Sequence, residues 1–136
     1  MNRPGLVSGL FYVYTPMKDI GLAILRLGFS LSMLSHGWGK LMKIANGDHG
    51  FADPIGLGEF PSLILATFAE FLCSILVAIG YKSRWAAIPL MITMSVAAFI
   101  THFDDAWGKK EKAFIYLIGF TVIFFTGAGK YSIDRK

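Results

Sequence analysis

Charge is what this sequence lacks most. Only 16% of its 136 residues are Asp, Glu, Lys or Arg, where a water-soluble domain carries about 25%. A domain of 15.0 kDa has a high ratio of surface to volume. It needs more polar cover than 13 basic and 9 acidic side chains supply. Cysteine is nearly absent too. The single Cys73 cannot close an internal bridge, which removes the disulfide-stapled secreted module, and without a CxxC pair dithiol–disulfide exchange within the chain is excluded. Also missing are GxGxxG, the Walker A pattern, HExxH and GxSxG, and with them the signatures of nucleotide cofactors, zinc proteases and serine hydrolases. Internal repeats and low-complexity tracts are lacking as well.

What is present in quantity is apolar sequence. Hydrophobic residues make up 54% of the chain, 12 of them Phe, and mean hydropathy is +0.56. A disordered tail or a nucleic-acid-binding arm is thereby excluded. Residues 85–101 and 113–129 hold no charge, 60–81 hold only Glu70, and Ile20–Gly39 holds only Arg26. Each run is about 17–22 residues, enough to cross a hydrocarbon layer of ~30 Å at ~1.5 Å per helical residue. Buried helices of a soluble bundle keep a polar stripe, whereas the last two runs are apolar all round. The pattern predicts one all-α membrane domain over residues 1–136. It is an integral membrane four-helix bundle with helices at roughly 19–42, 60–80, 84–103 and 111–128. The Gly/Pro-rich 53–61 marks the longest loop, and Gly80–Ser83 a tight turn. The first eighteen residues show no signal-peptide pattern. Within them Leu6, Val7, Leu10, Phe11 and Tyr14 recur at helical spacing, which fits a short interfacial helix or an unstructured start.

Loop lysines and arginines set the expected orientation. Arg3, Lys18, Lys82, Arg84, Lys130, Arg135 and Lys136 share one side, against Lys40, Lys43, Lys109, Lys110 and Lys112 on the other. This bias places both termini in the cytoplasm. The net charge of +4 then reads as topology and contact with anionic lipid, with no nucleic-acid partner.

Polar residues inside the apolar runs carry the functional reading. A lone charge at mid-membrane costs ~2.5–3.5 kcal/mol, so Arg26 and Glu70 need partners. Antiparallel helices put them within about one turn in depth, close enough for an ion pair clamping the first helix to the second. His36 and His102 both fall in the outer third, on helices running the same way. Arg26, His36 and Lys40 share an arc of about 80° on the first helix, and Met91, Met94, Ala98 and His102 share a face of the third. One reading has each histidine merely bonding a neighbouring helix. The other is a polar cavity open to the outer side, lined by His36, Lys40, Glu70 and His102. A metal or bis-histidine haem needs convergence that spacing does not supply, so no metal ligand is assigned. Cys73 reads as small packing.

Arg26-Leu27-x-Phe29 followed by His36-Gly37-x-x-Lys40-Leu41 resembles the first helix of the DoxX family. The glutamate-bearing second helix, Gly80-Tyr81-Lys82-Ser83-Arg84, and a third helix ending at His102 fit the same family. So does the closing Gly127-Ala128-Gly129-Lys130-Tyr131-Ser132-Ile133-Asp134, with alanine at 128 where proline is common. The likeness spans about residues 20–134. It implies a prokaryotic cytoplasmic (inner) membrane protein, a subunit of a redox-linked membrane complex that interacts with quinone. Within that family some members are linked to thiosulfate:quinone oxidoreductase or to membrane oxidoreductase complexes. Carried onto this sequence, Glu70, His36 and His102 become the proton-handling and catalytic candidates, and Arg26, Lys40 and Met94 the cofactor-binding ones. A histidine or Lys40 would donate to a ring carbonyl, Glu70 would relay a proton, and aromatics and methionines of the third and fourth helices would hold an isoprenoid tail. Partners implied are the lipid bilayer and an oxidoreductase. Small-residue helix faces also allow a homo-oligomer. A lipid-binding or carrier protein and a non-catalytic scaffold subunit remain the alternatives.

Overall fold

The computed structural model describes the backbone of residues 4–135 and the side chains from residue 15 to 135. Every regular element among them is helical: α1 (Pro4–Ala45), α2 (Glu59–Ile79), α3 (Ser83–Thr101) and α4 (Trp107–Thr126). The protein is an all-α, integral membrane four-helix bundle. By length and composition Thr15–Ala45 of α1, the whole of α2 and the whole of α3 each suffice to cross a membrane. In α4 the first turn and a half carries Lys109, Lys110, Glu111 and Lys112. Its charge-free helical part, 113–126, spans only about 21 Å at ~1.5 Å per residue. The backbone of α1 is helical from Pro4 and continues through Pro16. The side chains of Leu6, Val7, Leu10, Phe11 and Tyr14, which carry the expected interfacial face, lie outside the described residues.

The outer surface is apolar, as a bilayer demands. Ile24 is 68% exposed, Trp85 74%, Ile118 63% and Phe125 72%, an arrangement that water would not tolerate over so many large side chains. Inside, Met33, Val77, Leu90, Phe120 and Ile123 are almost wholly buried. Between helices the packing relies on missing side chains, because lipid provides no hydrophobic drive for association. At Gly119 the ring of Phe29 occupies the space a Cβ would take, and edge-on contacts to Tyr116 and Phe120 hold that ring. Gly37 lies directly on the backbone of α2, where an added Cβ would overlap the carbonyl group of Glu70.

Two features bias the bundle toward one end. The stretch Glu59–Thr67 of α2 packs on α1 but parts from α3, whereas Phe68–Ile79 packs against both. Each of α2 and α3 also contains a π-helical turn, Phe68–Cys73 and Ala97–Thr101. Such turns hold an extra residue inside an α-helix and recur at functional sites. The opposite end is closed. There α2 stops at Gly80, whose φ of 74° suits a residue without Cβ. Its N–H and that of Tyr81 bond back to Val77 O (3.1 Å) and Leu76 O (2.9 Å).

Candidate functional site

Where α2 parts from α3, a cavity of about 310 Å³ remains, roofed by the loop that joins α1 to α2. Leu65 and Ala66 form one wall, and Ile92, Val96 and Ala97 the other. Phe51 and Ile55 of the loop cover the end. Both π-helical turns contribute, Glu70 from the first and Ala97 and Thr101 from the second. The widened turns and the divergence of the helices therefore meet at one place.

The polar content of this cavity is specific. Lys40 Nζ donates to Glu70 Oε2 at 2.5 Å, and the Glu70 side chain is only 6% exposed. Gly37 explains the meeting. By letting α1 rest on the Glu70 backbone, it brings Lys40, three residues on, alongside the carboxylate. The Lys40 ammonium also stands 5.9 Å from the Phe51 ring centre, a cation–π contact that ties the loop to the ion pair. Ser62 donates to Asp53 of the loop (3.3 Å), and Lys43 donates to Gly50 O (2.6 Å). At the rim His102 Nδ1 lies 2.6 Å from Asp105 Oδ2. The hydrogen bond from His102 holds the Asp105 carboxyl below its ordinary range against partial desolvation, and Lys109 and Lys110 add to the effect. With Nδ1–H committed to Asp105, a neutral His102 ring keeps Nε2 as an acceptor.

Among the residues singled out from the sequence, Lys40, Glu70 and His102 line the cavity together. Three others stand elsewhere. His36 is exposed and meets Tyr116 of α4 edge-on, with ring centres 6.0 Å apart. On a helical wheel it is only about 40° from Lys40, yet that step exchanges α2 for α4 as the neighbour. Met94 belongs to the apolar core at 6% exposure. Arg26 does not pair with Glu70. It is buried at the closed end, where Nε donates to Ala78 O (3.2 Å), Nη1 to Ala128 O (2.5 Å) and Nη2 to Tyr131 O (2.7 Å). Backbone carbonyls there take the place of a carboxylate. They belong to the end of α2 and to the glycine-rich 127–134 segment, which α2 also holds through Ile133 N to Ile79 O (3.1 Å) and Asp134 N to Gly80 O (3.0 Å).

Sequence reasoning missed Asp105, Phe51, Ser62, Thr93 and Thr101, all at the cavity or its rim. The spacing His102-x-x-Asp105 was a usable signal for the first of them, and the others follow only from the divergence of the helices. Among the described residues no three His, Cys, Asp or Glu side chains converge as metal ligands would.

Comparison with known proteins gives the chain its relatives. It is 28% identical over 123 residues to the inner membrane protein YqjF of Escherichia coli (strain K12), a match covering 88% of this chain and 93% of that protein. An uncharacterized protein of Haemophilus influenzae is 30% identical over 122 residues, covering 85% and 89%. The uncharacterized membrane protein Rv3486 of Mycobacterium tuberculosis is 29% identical over 135 residues, covering 82% and 78%. No solved structure matches. The DoxX family model matches residues 21–103, which include Arg26, Gly37, Lys40, both π-helical turns and His102. The chain belongs to the DoxX family.

Proposed function

We propose that the cavity between α2 and α3 binds the ring of a quinone, and that the protein serves as the quinone-binding subunit of a redox-linked membrane complex. The observation that carries this reading is the Lys40–Glu70 pair set in an otherwise apolar cavity of about 310 Å³. Small-molecule sites have this character: about 300 Å³ or more, apolar walls and a few polar groups that orient the ligand. The residues present fit a quinone. Its flat ring suits the aliphatic walls, and its carbonyl oxygens need a donor. Lys40 has three N–H bonds and spends one on Glu70, so donors remain for a ring oxygen. When bound, a quinone supplies two-electron, two-proton carrier chemistry.

What the chain itself contributes is position and protons. Glu70 holds the Lys40 ammonium in place and offers a carboxylate oxygen as proton acceptor within the apolar layer. His102, with Asp105 fixing its tautomer, offers a second acceptor at the rim, between the cavity and the aqueous loops. Phe51 and Ile55 line the loop end of the cavity and add apolar surface beside the Lys40–Glu70 pair. The excess of loop lysine and arginine beside the termini orients the bundle with both termini in the cytoplasm of a bacterium, and the name of the Escherichia coli relative agrees with an inner-membrane location.

The test is chemical. Protein purified in detergent is extracted with organic solvent, and its quinone content is measured per mole. Wild type should carry quinone, and Lys40→Met should lose most of it while remaining folded. Equal quinone in wild type and Lys40→Met would sink the assignment.

A further inference from the structure

We infer that the ligand enters from the bilayer, not from water, and that it carries a single long hydrocarbon tail which leaves the cavity between Leu65 of α2 and Ile92 of α3. This rests on the quinone-site reading and adds the route and the tail to it. Three observations converge. First, Glu59–Thr67 parts from α3 while the rest of α2 packs on it, so the cavity is the mouth of a wedge between two membrane-spanning helices. Second, the lips of the wedge face lipid: Leu65 is 51% exposed and Ile92 59%, and both belong to the cavity wall. Third, the loop across the aqueous end of the cavity is tied down. The loop above the cavity is fastened by Lys43 to Gly50 O, by Ser62 to Asp53, and by stacking of His49 on Phe60 at 3.9 Å. Phe51 lies over Lys40 in addition.

The chemistry along this path runs from apolar to polar. Leu65 and Ile92 stand at the lipid side, Ala66 and Val96 behind them, and the Lys40–Glu70 pair further in. An amphiphile sliding in head first would keep its tail in hydrocarbon throughout and exchange lipid contact for the ion pair only at its head. A water-soluble ligand gains nothing from such a route. A fatty acid and a tailed quinone share the required chemistry, an oxygen-bearing head on one hydrocarbon chain, and the probes below separate them.

The experiment narrows the lips without touching the polar end. The double variant Leu65→Phe/Ile92→Phe changes two lipid-facing side chains, so folding should tolerate it, as thermal unfolding in detergent checks. Ile118→Phe, on a lipid-facing position of α4 away from the cavity, serves as the second variant and control. Each protein is placed in nanodiscs and titrated with menadione, which has a naphthoquinone ring and no tail, with the same ring bearing an isoprenoid tail, and with palmitate. In wild type the tailed quinone should bind above the level of empty nanodiscs. In the double variant its Kd should rise about tenfold or more, at least about fivefold beyond any change for menadione, while Ile118→Phe changes neither. Tailed-quinone binding unchanged in the double variant overturns the route, as does an equal loss of both quinones. If wild type binds palmitate but neither quinone, and the double variant loses palmitate, the tail route stands and the quinone reading falls. If wild type binds none of the three, both fall.

Discussion

Two basic residues of the same helix enter the bundle and meet opposite fates. Arg26 is closed in, with three hydrogen bonds to carbonyls of two different segments. Lys40 is left partly open, 22% exposed, with one carboxylate and spare donors toward a cavity. The difference follows from the chemistry of the side chains. A guanidinium is a rigid fork that can serve several fixed acceptors at once, which suits a clasp. An ammonium is a compact charge that moves among partners, which suits a site where a ligand must take a turn. The two ends of the bundle differ accordingly: α2 is capped and bonded to the 127–134 segment at the Arg26 end, and splayed with π-helical turns toward the Lys40 end.

The sharpest way to break this comparison is to separate the helices that create it. Gly37→Leu drives a side chain into the Glu70 backbone, which cannot step aside. We expect a loss of about 3 kcal/mol or more, read as failure to yield a monodisperse peak or a much lowered unfolding temperature. Next comes the clasp. Arg26→Ala leaves three carbonyls without their donor, at a cost of about 3–4 kcal/mol, and should render the 127–134 segment sensitive to protease. Arg26→Lys should not restore it, because one ammonium cannot serve carbonyls approached from three directions. Lys40→Met should cost less stability, about 1–2 kcal/mol, since this pair is partly exposed, and adding Glu70→Gln should recover part of it by removing the stranded carboxylate. Its larger effect should be on bound quinone. If Arg26→Ala and Lys40→Met strip quinone equally while both remain folded, the division into clasp and site is wrong.

The smallest effect belongs to the rim. Asp105→Asn should leave the unfolding temperature nearly unchanged, being a surface change, yet it should release the His102 ring, visible as a changed tautomer in nitrogen NMR. The pH dependence has a definite sign. The Asp105 carboxyl is held below its ordinary range by the hydrogen bond from His102. Any stability it contributes is therefore present above the ordinary carboxylate value of about 4 and is lost as pH falls through the lower folded value. The same NMR signal followed from pH 6 downward checks this, and loss of the His102–Asp105 bond already above about pH 5 would contradict it.

Much of this architecture can be read from where charges are missing. The all-helical membrane bundle follows from four runs with two charges in them, because bilayers impose that pattern on any chain. Of the four residues expected to line a polar cavity, because intramembrane ionisable groups are costly, Lys40, Glu70 and His102 line one cavity, its walls mostly apolar, and His36 does not. The depth at which helices cross was not legible. Counting residues from the edges of apolar runs put Arg26 beside Glu70, but the true register is set by one contact, Gly37 on the Glu70 backbone. Eleven residues separate Arg26 from Gly37, or about 16 Å along the helix, which leaves the arginine about three helical turns from the glutamate. Carbonyl acceptors for Arg26 were equally hidden, because a backbone oxygen leaves no mark on composition. His36 shows the limit of angular reasoning: about 40° of wheel cannot say which neighbouring helix a side chain will meet without knowing where the neighbours stand.

The clasp also bears on time. Arg26 and two of its acceptors, Ala128 and Tyr131, are 102 and 105 residues apart in the chain. At about 5–20 residues per second a ribosome takes roughly 5–20 s to cover that distance. Throughout that interval the first helix carries a cation two of whose three final partners have not yet been made, and some other group, whether water, a lipid phosphate or the insertion machinery, must satisfy it meanwhile. Closure of the bundle at this end is therefore a late step of biogenesis. A nascent chain stalled before Ala128 should remain open at the Arg26 end, however well its first three helices have already assembled.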